Sequence, residues 1–363
     1  MIGDLVVGLG VSQAAVVPLT NVEPLAVQVI GGTHYSTLRQ RQSIDVTGLR
    51  IGTGGFRDRQ HSLGIFGELT WHPVARLAIT GGLRHQRDSQ DRVGQVGPVG
   101  TGITVDYDEV FEAWLPKLSI AYDLARDATL GLLIQRAYNP GGTTVNLATR
   151  RQDDFGAERL WNYEVFLRAG FARGRGRLAV NLFHNDIEDA QRPQSIEFLA
   201  PDGTTFTTVQ IDNAPSARSR GLEVEVGWRT SDRLSLRMGL GFLGTKIRRT
   251  LVASDALLGK KFQRSPNFSA AAAVDWRPID ALQLSAQLRT TSDYFSDDAN
   301  TPTRRIDGFT TINARAAYTR GRVTAFGYVR NLLNDFYLTH LFNPTFGTAG
   351  DPREFGLGLE ARF

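Results

Sequence analysis

The sequence predicts an all-β protein: an antiparallel up-and-down transmembrane β-barrel of 14–16 strands, with short turns at one end and long loops at the other. Three observations carry this reading. Apolar and polar residues alternate with period two over long stretches, turn signals recur at regular spacing, and no convincing amphipathic helix interrupts them. A soluble sandwich shares the alternation, but its strands average only about five or six residues. A spanning sheet must close on itself, because lipid offers no partner to a free backbone N–H or C=O.

Composition agrees with a folded, non-helical membrane protein. Of 363 residues 41% are hydrophobic and 21% charged, too apolar for a disordered chain. Lys and Arg number 41 against 37 Asp and Glu, a net charge of +4 without the block of like charges that marks a nucleic-acid tail. The chain has no Cys, which excludes disulfides, thiolate nucleophiles and Cys-based metal or iron–sulfur sites. The uncharged stretch from Leu5 to Val22 contains Gly8, Gly10, Ser12, Gln13, Pro18 and Asn21, so it does not read as a helical span. The only charge before it is Asp4, with no Lys or Arg, so no signal peptide is visible.

Along the chain, Leu77, Ile79 and Leu83 oppose Thr80 and Arg84, and Tyr163, Val165 and Leu167 oppose Asn162, Glu164 and Arg168. Leu222, Val224, Val226 and Trp228 oppose Glu223, Glu225 and Arg229; Leu234, Leu236, Met238, Leu240 and Phe242 oppose Ser235, Arg237, Gly239 and Gly241. The pattern repeats through Phe268–Trp276 and Leu282–Leu288. Each segment has one apolar and one polar face. Short turns fall near His72–Arg76, Ala125–Ala128, Arg173–Arg177, Thr230–Arg233, Arg277–Asp280 and Thr319–Arg322, and long polar loops near 87–108, 140–158, 187–216, 244–266, 291–308 and 338–352. Ser43–Thr53 reads as a further strand, and residues 1–42 form an ill-defined segment with room for one or two more, Leu25–Ile30 the better. Trp71, Tyr122, Trp161, Trp228, Trp276 and Tyr318 read as an interfacial aromatic girdle at the short-turn end.

The last strand places Phe355, Leu357, Leu359, Ala361 and Phe363 on one face and Gly356, Gly358, Glu360 and Arg362 on the other. It looks like the C-terminal signal by which bacterial outer-membrane barrels are recognised and inserted by their assembly machinery, with Phe355, Leu357, Leu359 and Phe363 as its residues. Further motifs extend the likeness. Ser219–Trp228, Leu234–Leu240, Arg264–Phe268, Tyr328–Tyr337 with its Asn331-Leu332-Leu333 core, Leu115–Ser119, Tyr138–Gly142 and Phe66–Thr70 with Gly82–Arg84 occur in the order and spacing of one family. Over residues 43–363 the chain resembles the TonB-dependent receptors. The resemblance implies an outer-membrane barrel of 22 strands with periplasmic turns and extracellular loops, a plug domain inside it, and a segment that engages TonB. This chain departs from that pattern: neither plug nor TonB-engaging segment is legible, although Val22–Gly32 is superficially similar to a plug's start. A C-terminal portion of a receptor is therefore expected, with a complete passive porin of 14 or 16 strands as the alternative.

No catalytic residue, cofactor or metal site is expected. His34, His61, His72, His85, His184 and His340 show no metal-ligand spacing. His184-Asn185-Asp186 is the one cluster that suggests a barrel hydrolase, without a nucleophile elbow to accompany it. The acidic run Ser296–Asn300 lacks spaced oxygen ligands and reads as a solvated loop. If the barrel forms, Arg84, Arg168, Glu223, Glu225, Arg229, Arg289 and Arg315 line its lumen, braced as cross-strand Arg–Glu networks. Ligand contacts are expected from loop aromatics: Tyr138, Phe155, Phe206, Tyr294 and Phe295. Expected partners are outer-membrane lipid, the assembly machinery, an unidentified small molecule and, through a plug, TonB, but no nucleic acid.

Overall fold

The computed structural model describes residues 3–6, 11–18, 26–47, 51–199, 205–250 and 256–363, with side chains described from residue 27 onward except at 195–199 and 205–209. The strands in chain order are β1 Gly3–Val6, β2 Val11–Pro18, β3 Ala26–Val46, β4 Gly52–Val74, β5 Leu77–Val96, β6 Ile103–Ala125, β7 Ala128–Asn139, β8 Gly142–Asn146, β9 Arg151–Phe155, β10 Glu158–Phe171 and β11 Gly176–Leu199. They continue as β12 Thr205–Ser231, β13 Leu234–Arg249, β14 Phe268–Ile279, β15 Leu282–Thr291, β16 Tyr294–Phe295, β17 Arg305–Ile306, β18 Phe309–Arg320, β19 Val323–Arg330, β20 Leu338–Asn343, β21 Phe346–Ala349 and β22 Glu354–Ala361. The described parts of the early apolar stretch, residues 5–6 and 11–18, are strand, and none of the described helices is long and apolar enough to cross a membrane.

One 16-stranded antiparallel sheet carries the fold, each long strand beside its neighbours in sequence. β1 and β2 lie end to end along β3, with Gly3 opposite Gln42 and Val11 opposite Tyr35, so the sixteen strands occupy fifteen places. Three small hairpins, β8–β9, β16–β17 and β20–β21, stand off the sheet inside the connections at the loop end. Ser43–Thr53 is not a separate strand. It holds the end of β3 and the start of β4, with residues 48–50 outside the described set, because β3 already runs from Ala26.

All six short turns sit where the sequence places them. The long loops at 87–108 and 187–216 do not exist as loops: β5 and β6 remain paired to Val96 and Ile103, and β11 and β12 to Leu199 and Thr205. β12 has 27 residues and β11 has 24, more than twice the roughly 10 residues a tilted strand needs to cross a bilayer. These ends project beyond the membrane as paired ribbons. Neither face there has to meet lipid, so the alternation that marks a strand in lipid disappears while the backbone ladder continues.

Register sorts the side chains. Leu83 pairs with Gly67 and Pro116, Val165 with Leu132 and Leu182, and Leu222 with Phe242, so the aliphatic side chains share one face across the sheet. That face is open: Leu132 is 51% exposed, Leu182 56% and Leu357 91%. A water-soluble protein would bury such a surface; a bilayer covers it. Buried apolar clusters are small and lie at the loop end, one around Phe56, Val96, Ile103 and Tyr107 and one around Ala190, Ala217 and Ile247. Trp71, Tyr122, Trp228, Trp276 and Tyr318 ring the short-turn end of the exposed face. Trp161 does not join them. It lies near the start of β10, opposite Arg136 and Asp186, and belongs with Trp114 at the loop-end margin.

On the inner face, glycines lie directly opposite aromatic rings. Gly131 faces Phe166, Gly221 faces Phe183 and Gly358 faces Phe326, and a Cβ on any of these three glycines would sit within 2.6 Å of a ring or backbone atom. The rings therefore lie flat against the wall rather than filling the interior.

Candidate transport lumen and outer loop layer

Alternation puts Arg84, Arg168, Glu223, Glu225, Arg229, Arg289 and Arg315 together on the face opposite the exposed aliphatics. A concave space of about 970 Å³ runs over this face from β7 to β15, with Arg168, Glu225, Arg237, Gln287 and Arg289 along its wall. Small residues, among them Gly227, Gly239, Ala271 and Ala273, leave it open. Water can occupy such a surface.

The seven residues do not form the Arg–Glu networks expected of them. Glu223 lies between Asn181 and Gly241, and Glu225 between Ala179 and Gly239, so neither has a cation beside it in register. Arg168 instead donates to the carbonyls of Leu167 and Val180, Arg315 covers the Phe326 ring at 4.5 Å, and Arg84 donates from Nε to Gln86 at 2.8 Å. The bracing comes from other pairs. Lys117 pairs with Glu68 and Arg237 with Asp275, both at 2.8 Å. A rung of amides crosses four strands at one level: Gln135 donates to Asn162, Asn162 to Asn185 and Asn185 to Ser219, at 3.4, 2.8 and 2.9 Å. Neutral side chains carry no sign pattern in sequence, which is why this rung was not legible.

The outer layer is a set of hairpins locked together by buried polar contacts. Arg192 of β11 grips Asp298 with two parallel bonds, Nε to Oδ2 at 2.6 Å and Nη2 to Oδ1 at 2.7 Å, and its guanidinium stacks 3.9 Å over Phe262. The Gln263 backbone N–H donates to the same carboxylate. Asp297 accepts from the Thr301 N–H and faces Arg304. Ser296–Asn300 is therefore not a solvated loop: Asp298 is 2% exposed and Asp297 5%. The partner of Asp298 lies 106 residues away, beyond the reach of any local pattern.

Several of the loop aromatics expected to meet ligand make contacts within the loop layer itself. Tyr294 donates to the Thr339 carbonyl at 2.9 Å, and burial raises its phenol above the ordinary range. Tyr138 donates to Asp88, and burial followed by that bond pushes its pKa up. Phe295 pairs with Arg305, and Phe155 covers Gly142. Phe206 lies opposite Phe198 near the tip of the β11–β12 ribbon, and its side chain is outside the described residues. Tyr107, missed in the sequence, is buried beneath the β8–β9 hairpin, and burial, with Asp154 and Glu109 nearby, raises its pKa to about 12.

His184, Asn185 and Asp186 do not assemble into a catalytic group. His184 and Asp186 lie on the outward face, 3.3 Å apart, while Asn185 points inward to Asn162 and Ser219. Adjacent strand residues face opposite ways.

Residues 13–332 match the model of the TonB-dependent receptor-like β-barrel. The chain belongs to the TonB-dependent receptors. The family is one of outer-membrane transport receptors. The pesticin receptor of Yersinia enterocolitica is 29% identical over 173 residues, which cover 46% of this chain and 24% of that protein. The ferric yersiniabactin uptake receptor FyuA of Yersinia pestis has the same fold with a TM-score of 0.79 and 20% identity, across 98% of this chain and 54% of that one. The ferric-catecholate import receptor Fiu of E. coli K12 matches at a TM-score of 0.77 and 15% identity, across 98% and 54%. The chain thus spans about half the length of the solved receptors that it matches and about a quarter of its curated relative. β22 pairs with β19 and exposes Phe355, Leu357 and Leu359 on the face shared by the other aliphatics, and Phe363, just beyond the strand, is exposed too.

Proposed function

We propose that this chain is the C-terminal part of an outer-membrane barrel for energised uptake of a scarce, bulky nutrient, a ferric siderophore being the best-supported class. The loop layer captures the ligand, the polar face with Arg84, Arg168, Glu223, Glu225, Arg229, Arg289 and Arg315 forms the path, and a plug pulled by TonB gates it in the whole receptor. The barrel assembly machinery reads Phe355, Leu357, Leu359 and Phe363. Cross-linked hairpins over an open, charged inner wall are the observation that carries this reading, because capture of a large solute needs a stiff mouth wider than a simple pore. Sheet order speaks against a self-closed porin. Over fifteen places the first and last strands run in the same direction, and β22 has β19 as its sole neighbour among the described residues.

Replacing the corresponding half of a plug-bearing ferric siderophore receptor with this chain tests the reading. Iron-starved cells that carry the folded chimera should grow on at least one ferric complex from a catecholate, phenolate, hydroxamate and carboxylate panel, and only with TonB intact. Growth on none of them, with the chimera in the outer membrane, would overturn the siderophore assignment.

A further inference from the structure

The wall formed by β3–β6 continues well past the apolar band. On β4 the outward aliphatic row ends at Leu63, and Arg59 stands on the same face about 13 Å further along the strand. On β6 the row ends at Trp114, Glu112 follows, and Asp108 lies about 20 Å beyond Trp114. No bulge interrupts the pairing of these four strands over this stretch, so alternation still tells which side chains share the outward face.

Two rows of this extension carry charges sorted by sign. In one, Arg39 of β3 stands opposite Arg59 of β4, Arg59 opposite Asp91 of β5, and Asp91 opposite Asp108 of β6. In the next, Arg41, Arg57, Val93 and Asp106 follow in the same strand order. Arginine thus holds β3 and β4, and aspartate β5 and β6. Asp91 is half-buried and the other six charges are exposed, and none of the seven makes an ion pair among the described residues. Asp4 of β1 meets only Arg41 in register. Arg39 against Arg59 and Asp91 against Asp108 are like charges directly opposite, which costs stability within a single chain. Opposite charge from outside the chain relieves both.

The sign pattern is complementary to itself. Two copies of a chain in one membrane stand the same way up, so a closed pair is related by a two-fold axis along the membrane normal. When two outward faces meet about such an axis, left meets right. An axis beside β5 therefore sets the arginines of each copy against the aspartates of the other. Val93, the outward residue of β5 between Arg57 and Asp106, is 48% exposed, and Val110 nearby is 43% exposed. An apolar centre between charged flanks is the usual anatomy of a protein–protein contact. Four strands span only about 14 Å, so the contact is small and belongs to the weak, transient class. The membrane compensates in part, because two upright copies have little orientational freedom left to lose.

We propose that the charge-sorted extension of β3–β6 is an interface for a second copy of this chain, with Arg39, Arg57 and Arg59 of each copy against Asp91, Asp106 and Asp108 of the other and the two Val93 side chains facing each other at the axis. The pairing needs only that the wall stands in a membrane, whichever solute it carries. It uses the outward face alone, so the inner wall and the Arg192–Asp298 layer stay free in the pair.

The chain has no cysteine, so a single introduced one reports one contact. The full chain carrying V93C is folded into phosphatidylcholine vesicles, and disulfide-linked dimer is followed on a gel after mild oxidation. F346C, at the exposed β20–β21 hairpin, is the reference. V93C should cross-link about tenfold faster than F346C, and that advantage should vanish in about 1 M NaCl, where charges are screened beyond about 3 Å. On the V93C background, R39E/R57E/R59E and D91K/D106K/D108K should each lose the advantage alone and regain it when mixed, as the heterodimer. Cross-linking of V93C no faster than of F346C, or indifferent to salt or to the reversals, overturns the interface. Should a reversed chain fail to fold, the salt dependence of V93C decides alone. Should the vesicles take up no chain, the same cysteines are read in the siderophore-receptor chimera described above, built on a cysteine-free donor half. A chimera that transports without pairing overturns the interface alone, and one that pairs without transporting overturns the transport reading alone.

Discussion

Asp298 shows how one side chain can hold a loop layer in place. Its carboxylate is nearly sealed from water and is neutralised by a bidentate arginine and a backbone N–H. Removing Arg192 would leave a buried, unpaired charge, a loss of about 3–5 kcal/mol. Arg192→Ala should therefore raise hydrogen exchange in the loops that contain Phe262 and Asp298 while β14 and β15 remain protected; unchanged exchange in those loops would refute the lock. His340 gives the same layer a pH dependence. Burial, then Arg264 and Arg304, hold its imidazole below the usual range, with Asp297 opposing, and neutral Nδ1 accepts from Arg264 Nε at 3.3 Å. The folded state prefers the neutral ring, so this contribution is complete above the ordinary histidine value of about 6.5 and declines as pH falls through it. Proteolysis of the β20–β21 hairpin should accelerate between neutral pH and pH about 5 in the native protein, and much less so in His340→Gln.

At the scale of the strand, period two decides everything. Val224 and Glu225 are adjacent, yet one lies in the outward row with Leu222 and Trp228 and the other lines the inner concavity. Val224→Lys should cost about 2–4 kcal/mol near the bilayer midplane, while Glu225→Gln should change stability by less than about 0.5 kcal/mol. Urea unfolding from lipid vesicles measures both, and equal effects would mean that the faces are assigned wrongly. This alternation made the two faces legible from sequence. Strand length was not legible, because β5, β6, β11 and β12 outrun the membrane into water, where either face tolerates polar residues. The Asn331-Leu332-Leu333 motif was recognised without its reason. The Asn331 side chain donates to the carbonyls of Asp335 and Asp351, fixing the turn after β19 against the start of the last strand.

For the whole molecule, the sheet's two edges govern behaviour in isolation. Each unpaired backbone group left in lipid costs several kcal/mol, and antiparallel closure is not open to strands that run the same way. The isolated 363-residue chain, refolded into planar bilayers, should give no steady channel of uniform conductance. A stable, reproducible conductance level would mean a self-closed pore and would revive the porin reading.

Sequence by itself determined the class, the turns, the two faces and the family, because all of these depend on local alternation and on short motifs in order. Tertiary structure decided which polar groups meet: the amide rung at Asn162 and the Arg192–Asp298 lock. Those contacts join residues far apart in the chain, and only the strand register brings them together. Charge sign alone suggested Arg–Glu bracing; the register placed uncharged Asn181, Ala179, Gly239 and Gly241 beside the glutamates instead.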